Sequence, residues 1–321
     1  MTGPMCDPRY LQRHEIWRAQ YRLRRYARHL TQSELNARIR DIFLNFLLLT
    51  RQAKIRLRPL DAETATWLEK FAHLLEEMQL RHGPYPSGFT REILHSEPFP
   101  DLISEIAKRA AKKLFSIAVK EGTAFIKLGK RKYMEALYET GALRVQPATR
   151  FRDRDLHGDT RDDELGISFS LALSRDDLAK VVVNKRDVPV DAPDQRVDAH
   201  FRWPSDYWLY CVTTSVEPRL FVDFDADACV IIHDRSTFRQ MLREASEPQL
   251  ASAVMQEGAA IYLDPLFPTL MDIFVPLVKH FRYSYQNEHR FFWLPPTPIE
   301  KVSHVDACVG SLRDIAELVV L

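Results

Sequence analysis

Glycine is scarce in this chain: ten residues in 321. Loops that cradle phosphates on bare backbone need glycine, and neither G-x-x-x-x-G-K-[ST] nor G-x-G-x-x-G occurs. H-E-x-x-H, the G-x-S-x-G elbow and the zinc-deaminase signature are absent too. These absences argue against the common nucleotide hydrolases, metalloproteases and α/β-hydrolases, and leave other enzymes open. Cysteine is also sparse. Cys6, Cys211, Cys229 and Cys308 form no C-x-x-C pair, and no histidine stands beside them at metal-ligand spacing. That pattern predicts reduced, mostly buried thiols, a cytoplasmic protein and no metal. The longest apolar stretch, residues 42–49, is broken by Asn45. It falls far short of the ~20 residues that span a bilayer, so no membrane partner is expected. The first residues carry no apolar run of the signal-peptide kind.

What is present is charge, unevenly placed. The composition is 45% hydrophobic and 28% charged with a net charge of +1, ordinary for a chain with two cores. Residues 1–60, however, hold thirteen Arg and Lys against only Asp7, Glu15, Glu34 and Asp41. Arg18, Arg22, Arg25 and Arg28 fall near one helical face, interleaved with Tyr21 and Tyr26. Such a face could meet nucleic acid or an acidic protein surface. It could equally be a solvated helix whose arginines pair with acids elsewhere in the chain.

Periodicity divides the chain near residue 120. Residues 9–30, free of Gly and Pro, read as a helix. Thr31 to Glu34 has the capping-box pattern that starts the next one, whose apolar stripe is Ile39, Ile42, Phe43, Phe46 and Leu47. Asp61 should cap a third helix bearing Trp67, Leu68, Phe71, Leu74, Leu75 and Met78, with Gly83 as its stop. Residues 83–100 read as a proline-rich loop, and residues 101–120 as a fourth helix. Beyond it come short strands: 123–128, 143–145, 166–173, 179–184, 197–203, 207–214, 229–233, 259–263, 288–294 and 317–321. A helix over 130–140, closed by Gly141, and helices over 235–245 and 247–257 are set among them. The expectation is an α+β chain: a basic, all-helical region over 1–120 and an α+β domain over 121–321 that carries any chemistry.

Three segments of that second domain belong together. One is residues 125–145, a strand with a cation at Lys127, a short helix, then Gly141-Ala-Leu. Another is the strand Tyr210-Cys-Val-Thr-Thr-Ser215, ending in three hydroxyls. The last is Tyr283-Ser-Tyr-Gln-Asn-Glu-His-Arg290, leading into a strand. This order resembles the mono-ADP-ribosyltransferases built on an Arg, Ser-Thr-Ser and Gln-x-Glu triad. The stretch around residues 279–291 also resembles the closing segment of an uncharacterised bacterial domain; that likeness covers roughly residues 123–295 and adds a toxin or phage-defence context. The resemblance implies a mixed, mostly antiparallel split sheet with NAD, as substrate, in the cleft. Glu288 would hydrogen-bond the nicotinamide ribose and stabilise the oxocarbenium-like transition state. Gln286 would orient the acceptor, Thr213, Thr214 and Ser215 would shape the nicotinamide pocket, and Lys127 would stand near the phosphates. Tyr283 and Tyr285 could wall the site. The implied activity is transfer of ADP-ribose to a macromolecule, protein or nucleic acid, or to water as an NAD glycohydrolase.

The departures are specific. Lysine replaces the usual Arg, and lysine is the poorer bidentate phosphate ligand. The hydroxyl run is Thr-Thr-Ser, and an insertion over 235–275 is required. Each part also has a plain alternative. Glu288 could be a solvated strand-edge acid or a partner of Arg290 or Arg282, Thr213–Ser215 a strand end, and Lys127 a surface lysine. The alternative function is a non-enzymatic nucleic-acid-binding or regulatory protein acting through its basic helices. The acidic loop with Asp153, Asp155, Asp159, Asp162, Asp163 and Glu164 admits a Mg²⁺ nuclease, a weaker reading because nothing in the sequence orders those carboxylates.

Overall fold

The structure is a computed structural model that describes residues 12–59, 61–83, 102, 104–120, 122–153, 162–173, 195–267 and 273–321. The proline-rich loop, the expected strand over 179–184, and Asp155 and Asp159 lie outside the described residues. The chain is α+β, with sheets that are antiparallel apart from one short pair.

Helices α1 (Arg13–Leu23), α2 (Gln32–Phe46) and α3 (Ala62–His82) form the N-terminal layer. The helix expected over 9–30 is shorter than its pattern. It stops at Arg24, and Tyr26, Ala27 and Leu30 turn back into the helical core, where Tyr26 meets Phe267 edge-on at 4.2 Å. The Thr31 capping box is present, and Asp61 caps α3 by accepting from the Thr64 N–H at 2.8 Å. The region is not all helical, though. Leu47, read as the end of a helical stripe, instead begins β1 (Leu47–Leu49), paired antiparallel with β2 (Ile55–Leu57). Three consecutive leucines satisfy either period, so only the tertiary partner decides. Helix α4 (Glu105–Phe115) follows.

The second region is built on one eight-stranded sheet from β3 (Phe125–Gly129), β4 (Ala142–Pro147), β7 (Trp208–Thr213), β8 (Ala228–Ile232), β9 (Val254–Ala259), β12 (Glu288–Leu294), β13 (Val305–Cys308) and β14 (Ala316–Val320). Helix α5 (Arg131–Thr140) ends at Gly141, left-handed at φ 74°. Where two helices were expected over 235–257, a single helix α7 (Arg235–Leu250) runs through Pro248, and β9 follows at once. The apolar core lies between one sheet face and helices α5 and α7, with Phe125, Val145, Val230, Phe291 and Trp293 facing Leu137, Phe238 and Leu242. The opposite face, through Ile126, Cys229 and Ile231, packs on α4 and on α6 (Arg219–Asp223). A hairpin, β5 (Gly166–Leu173) and β6 (Gln195–Arg202), stands apart from the sheet. The short parallel pair is β10 (Ile261–Leu263) with β11 (Val278–His280).

Two features of this arrangement position the site. The sheet forks at β7. One edge of β7 pairs with β12 along six residues. The other edge pairs with β4 at Trp208 and Leu209 and with β3 only at Thr213. In addition, the N-terminal layer is seated on the segment that leads into β12. Its core includes Phe281, stacked on Trp67 at 4.7 Å, and buried Arg38 pairs with Asp264 at 2.7 Å. A buried Asn45 donates to the carbonyls of Phe281 and Arg282 and accepts from the Ser284 hydroxyl and the Tyr285 N–H.

Candidate active site

Register places Glu288 opposite Thr213, at the end of the β12–β7 pair where the fork opens. Alternation along β12 then sends Glu288, Arg290 and Phe292 to one face. A cavity of about 180 Å³ lies there, lined by Lys127, Glu164, Cys211, Thr213, Lys279, Gln286 and Glu288 among others. Four sequence-predicted residues from three distant segments therefore meet in one place: Lys127, Thr213, Gln286 and Glu288. At roughly 30 Å³ per water the space holds about six waters, enough for one ring and its substituent but not for a whole dinucleotide.

Glu288 is nearly fully buried and doubly paired. Its carboxylate accepts from Lys279 Nζ at 2.6 Å and from Arg290 Nε at 2.6 Å. Burial alone would push its pKa up, but Lys279 and Arg290 outweigh burial and hold it well below the usual carboxylate range. The expected pairing with Arg290 is thus real. The other expected partner, Arg282, hydrogen-bonds Tyr283. Lys279 also donates to Gln286 Oε1 at 3.0 Å. Burial works against its ammonium, and Glu288 and Glu164 more than restore it, so its pKa is raised. Arg290 further donates to the Pro276 and Val278 carbonyls, which locks β12 to the strand that carries Lys279.

Lys127 is not a surface lysine. Its ammonium reaches into the fork, donates to the Cys211 carbonyl at 2.7 Å and lies 4.5 Å from the Tyr210 ring centroid. Immersion in the fork lowers its pKa, with Cys211 and Glu288 opposing. Thr213 donates its hydroxyl to the Gln286 carbonyl and accepts from the Ser215 N–H, so it joins the strand end to the turn before Glu288.

The other predicted residues go elsewhere. Thr214 bonds the Asn287 carbonyl through both its N–H and its hydroxyl. Ser215 and Tyr285 line a second, larger cavity of about 550 Å³ between the β1–β2 hairpin, the start of α3 and the 284–287 turn. Tyr283 packs beside Arg282 and under Lys279, with Nζ 4.9 Å from its ring centroid. Tyr283 and Tyr285 belong to the 3-10 helix Phe281–Gln286, which ends in left-handed Asn287 and does not follow the alternation of β12; Thr214 and Ser215 lie past the end of β7.

Two charged residues of the cavity, Lys279 and Glu164, were not singled out as site residues. Lys279 carried no motif. Glu164 was visible only as the last acid of a charged loop; the start of β5 two residues later is the one signal that could have marked it as held. It is 4% exposed. Burial, only partly offset by Arg290 and Lys279, pushes its pKa up to about 7. In the same loop, Asp163 pairs with Arg152 and Asp153 with Arg150. Among the described residues no group of three His, Cys, Asp or Glu could hold a metal, and no helix is long and apolar enough to cross a membrane.

The basic face is largely engaged within its own layer. Arg18 and Arg22 both pair with Glu76, and Arg25 with Glu77, which also takes the Tyr21 hydroxyl and Arg81. Their side chains remain 37–57% exposed.

No protein-family model matches the chain, and no curated protein or solved structure is significantly similar to it.

Proposed function

We propose that this chain is an ADP-ribosyltransferase-type enzyme that breaks the nicotinamide–ribose bond of NAD and passes ADP-ribose to a macromolecule or to water. The observation that carries this reading is the convergence of Lys127, Thr213, Gln286 and Glu288 on one cavity at a forked sheet. Breaking an N-glycosidic bond builds positive charge on the ribose. A carboxylate held ionised in a place poor in water stabilises that charge without reorganising, and such preorganised electrostatics are the strongest help a site of this kind can give. Glu288 meets both conditions. The cavity takes the nicotinamide end alone; the rest of NAD lies along the open fork. Lys127 closes the strand gap and is the cation nearest the emerging phosphates, though its bond to Cys211 must be shared or broken for that contact.

The test is nicotinamide release from NAD by the purified chain, with and without cell lysate, beside Glu288→Gln. Release that Glu288→Gln lowers by about 10²–10³ is expected, the range seen when a preorganised charge partner is removed. Dependence on lysate would make the acceptor a macromolecule, and release without lysate would make it water. No release in either condition would refute the reading.

A further inference from the structure

Glu164 is the second carboxylate of the small cavity and differs from Glu288 in how it is held. Its backbone is fixed by the Tyr207 hydroxyl, which donates to the Glu164 carbonyl at 2.9 Å. Its side chain is buried, yet no hydrogen bond from the described residues reaches the carboxylate. Arg290 Nη2 lies 2.7 Å away, but that nitrogen is out of line for a hydrogen bond to any acceptor. A buried carboxylate with spare acceptor capacity, on the wall of a cavity, is an acceptor for whatever enters. The charged and titratable groups around it are Arg290 and Glu288 on β12, Lys279 on β11, Asp162 beside it, and Tyr207 and Cys211. Glu288 spends both of its oxygens on cations; Glu164 does not. Two buried carboxylates joined through one guanidinium but partnered so differently are suited to different tasks.

We propose that Glu164 is the general base of this site, taking the proton from the nucleophile that attacks the ribose. The step rests on the reading of the cavity as an NAD-cleaving centre. The C1–N bond breaks and its electron pair leaves with nicotinamide, which departs neutral. The acceptor oxygen or nitrogen forms the new bond to C1. Its proton passes to the Glu164 carboxylate, while Glu288 stays ionised beside the ribose.

The test is the pH profile of nicotinamide release by the full chain. In the wild type kcat should rise with pH through about 7 and then level off. Glu164→Gln should lower kcat by about 10²–10⁴ with little change in KM, and the rise should vanish. Glu164→Asp keeps the charge facing Arg290 but withdraws it by one methylene; it should show a lower kcat at an unchanged unfolding midpoint. Wild-type kcat and an unchanged profile in Glu164→Gln would overturn the role of Glu164 while the NAD reading stands. Should Glu164→Gln fail to fold, the same result in Glu164→Asp overturns it. A wild type that releases no nicotinamide at any pH overturns both.

Discussion

Asn45→Ala is the most informative single change, because it tests whether the helical layer holds the 281–286 turn, which leads into the candidate site, in place. Asn45 is 5% exposed. Its amide nitrogen donates to the Asp41, Phe281 and Arg282 carbonyls at 2.9, 3.3 and 3.1 Å. Its oxygen accepts from the Ser284 hydroxyl at 2.8 Å and the Tyr285 N–H at 3.0 Å. Alanine takes the Asn45 amide away from two donors and two carbonyls of the 281–285 turn. An unsatisfied buried group costs about 1–3 kcal/mol. Asn45 also borders the 550 Å³ cavity, so water can replace part of what is lost, and the expected loss is about 2–4 kcal/mol. Urea unfolding followed by fluorescence is the assay, since Trp67 stacks on Phe281 in this contact. The same turn carries Gln286 and leads into Glu288, so under the proposed function nicotinamide release should fall in the folded variant as well. A loss of stability below about 0.5 kcal/mol, the range of an ordinary surface change, would refute the view that the layer clamps the turn.

Two further outcomes concern stability alone. Gly141→Ala should be severe: at φ 74° its Cβ would lie 2.1 Å from the Gly310 carbonyl oxygen, whereas Gly122, at φ 77°, has nothing within 4 Å. Gly122→Ala should therefore cost only the backbone strain of about 1–3 kcal/mol and Gly141→Ala clearly more, as read from urea midpoints. His73 is held down to about 4, chiefly by burial and also by Lys70, against a hydrogen bond with Trp17. Its folded pKa lies below its unfolded one, so its contribution is complete above pH 6.5 and is lost as pH falls through about 4. Unfolding midpoints should drop across that window, and His73→Gln should flatten the drop; an equally steep drop in the variant would refute the assignment.

Much of the local structure was legible because short-range chemistry decides it. The Thr31 capping box, the Asp61 cap and the Gly141 stop fall where their side chains dictate, and the strands Gly166–Leu173 and Glu288–Leu294 match their expected bounds. The α+β class followed from the alternation of short strands with few helices. What failed was what depends on partners. The leucines at 47–49 became a strand because residues 55–57 lie beside them, and residues 254–257 became a strand because β12 needed a neighbour.

The candidate site divides in the same way. Sequence alone named Lys127, Thr213, Gln286 and Glu288, since order along the chain and residue type survive in one dimension. It could not find Lys279 or Glu164, which enter the cavity only through the β10–β11 pairing and the end of a charged loop. Nor could it tell that Tyr283 and Tyr285 belong to a 3-10 turn, or that β7 ends at Thr213 and leaves Thr214 and Ser215 beyond it. The sequence determined which groups could act. Tertiary structure decided their charge states, because partners and burial, not residue type, set them: hydrogen bonds from Lys279 and Arg290 hold Glu288 well below the usual carboxylate range, while burial, only partly offset, pushes Glu164 up to about 7.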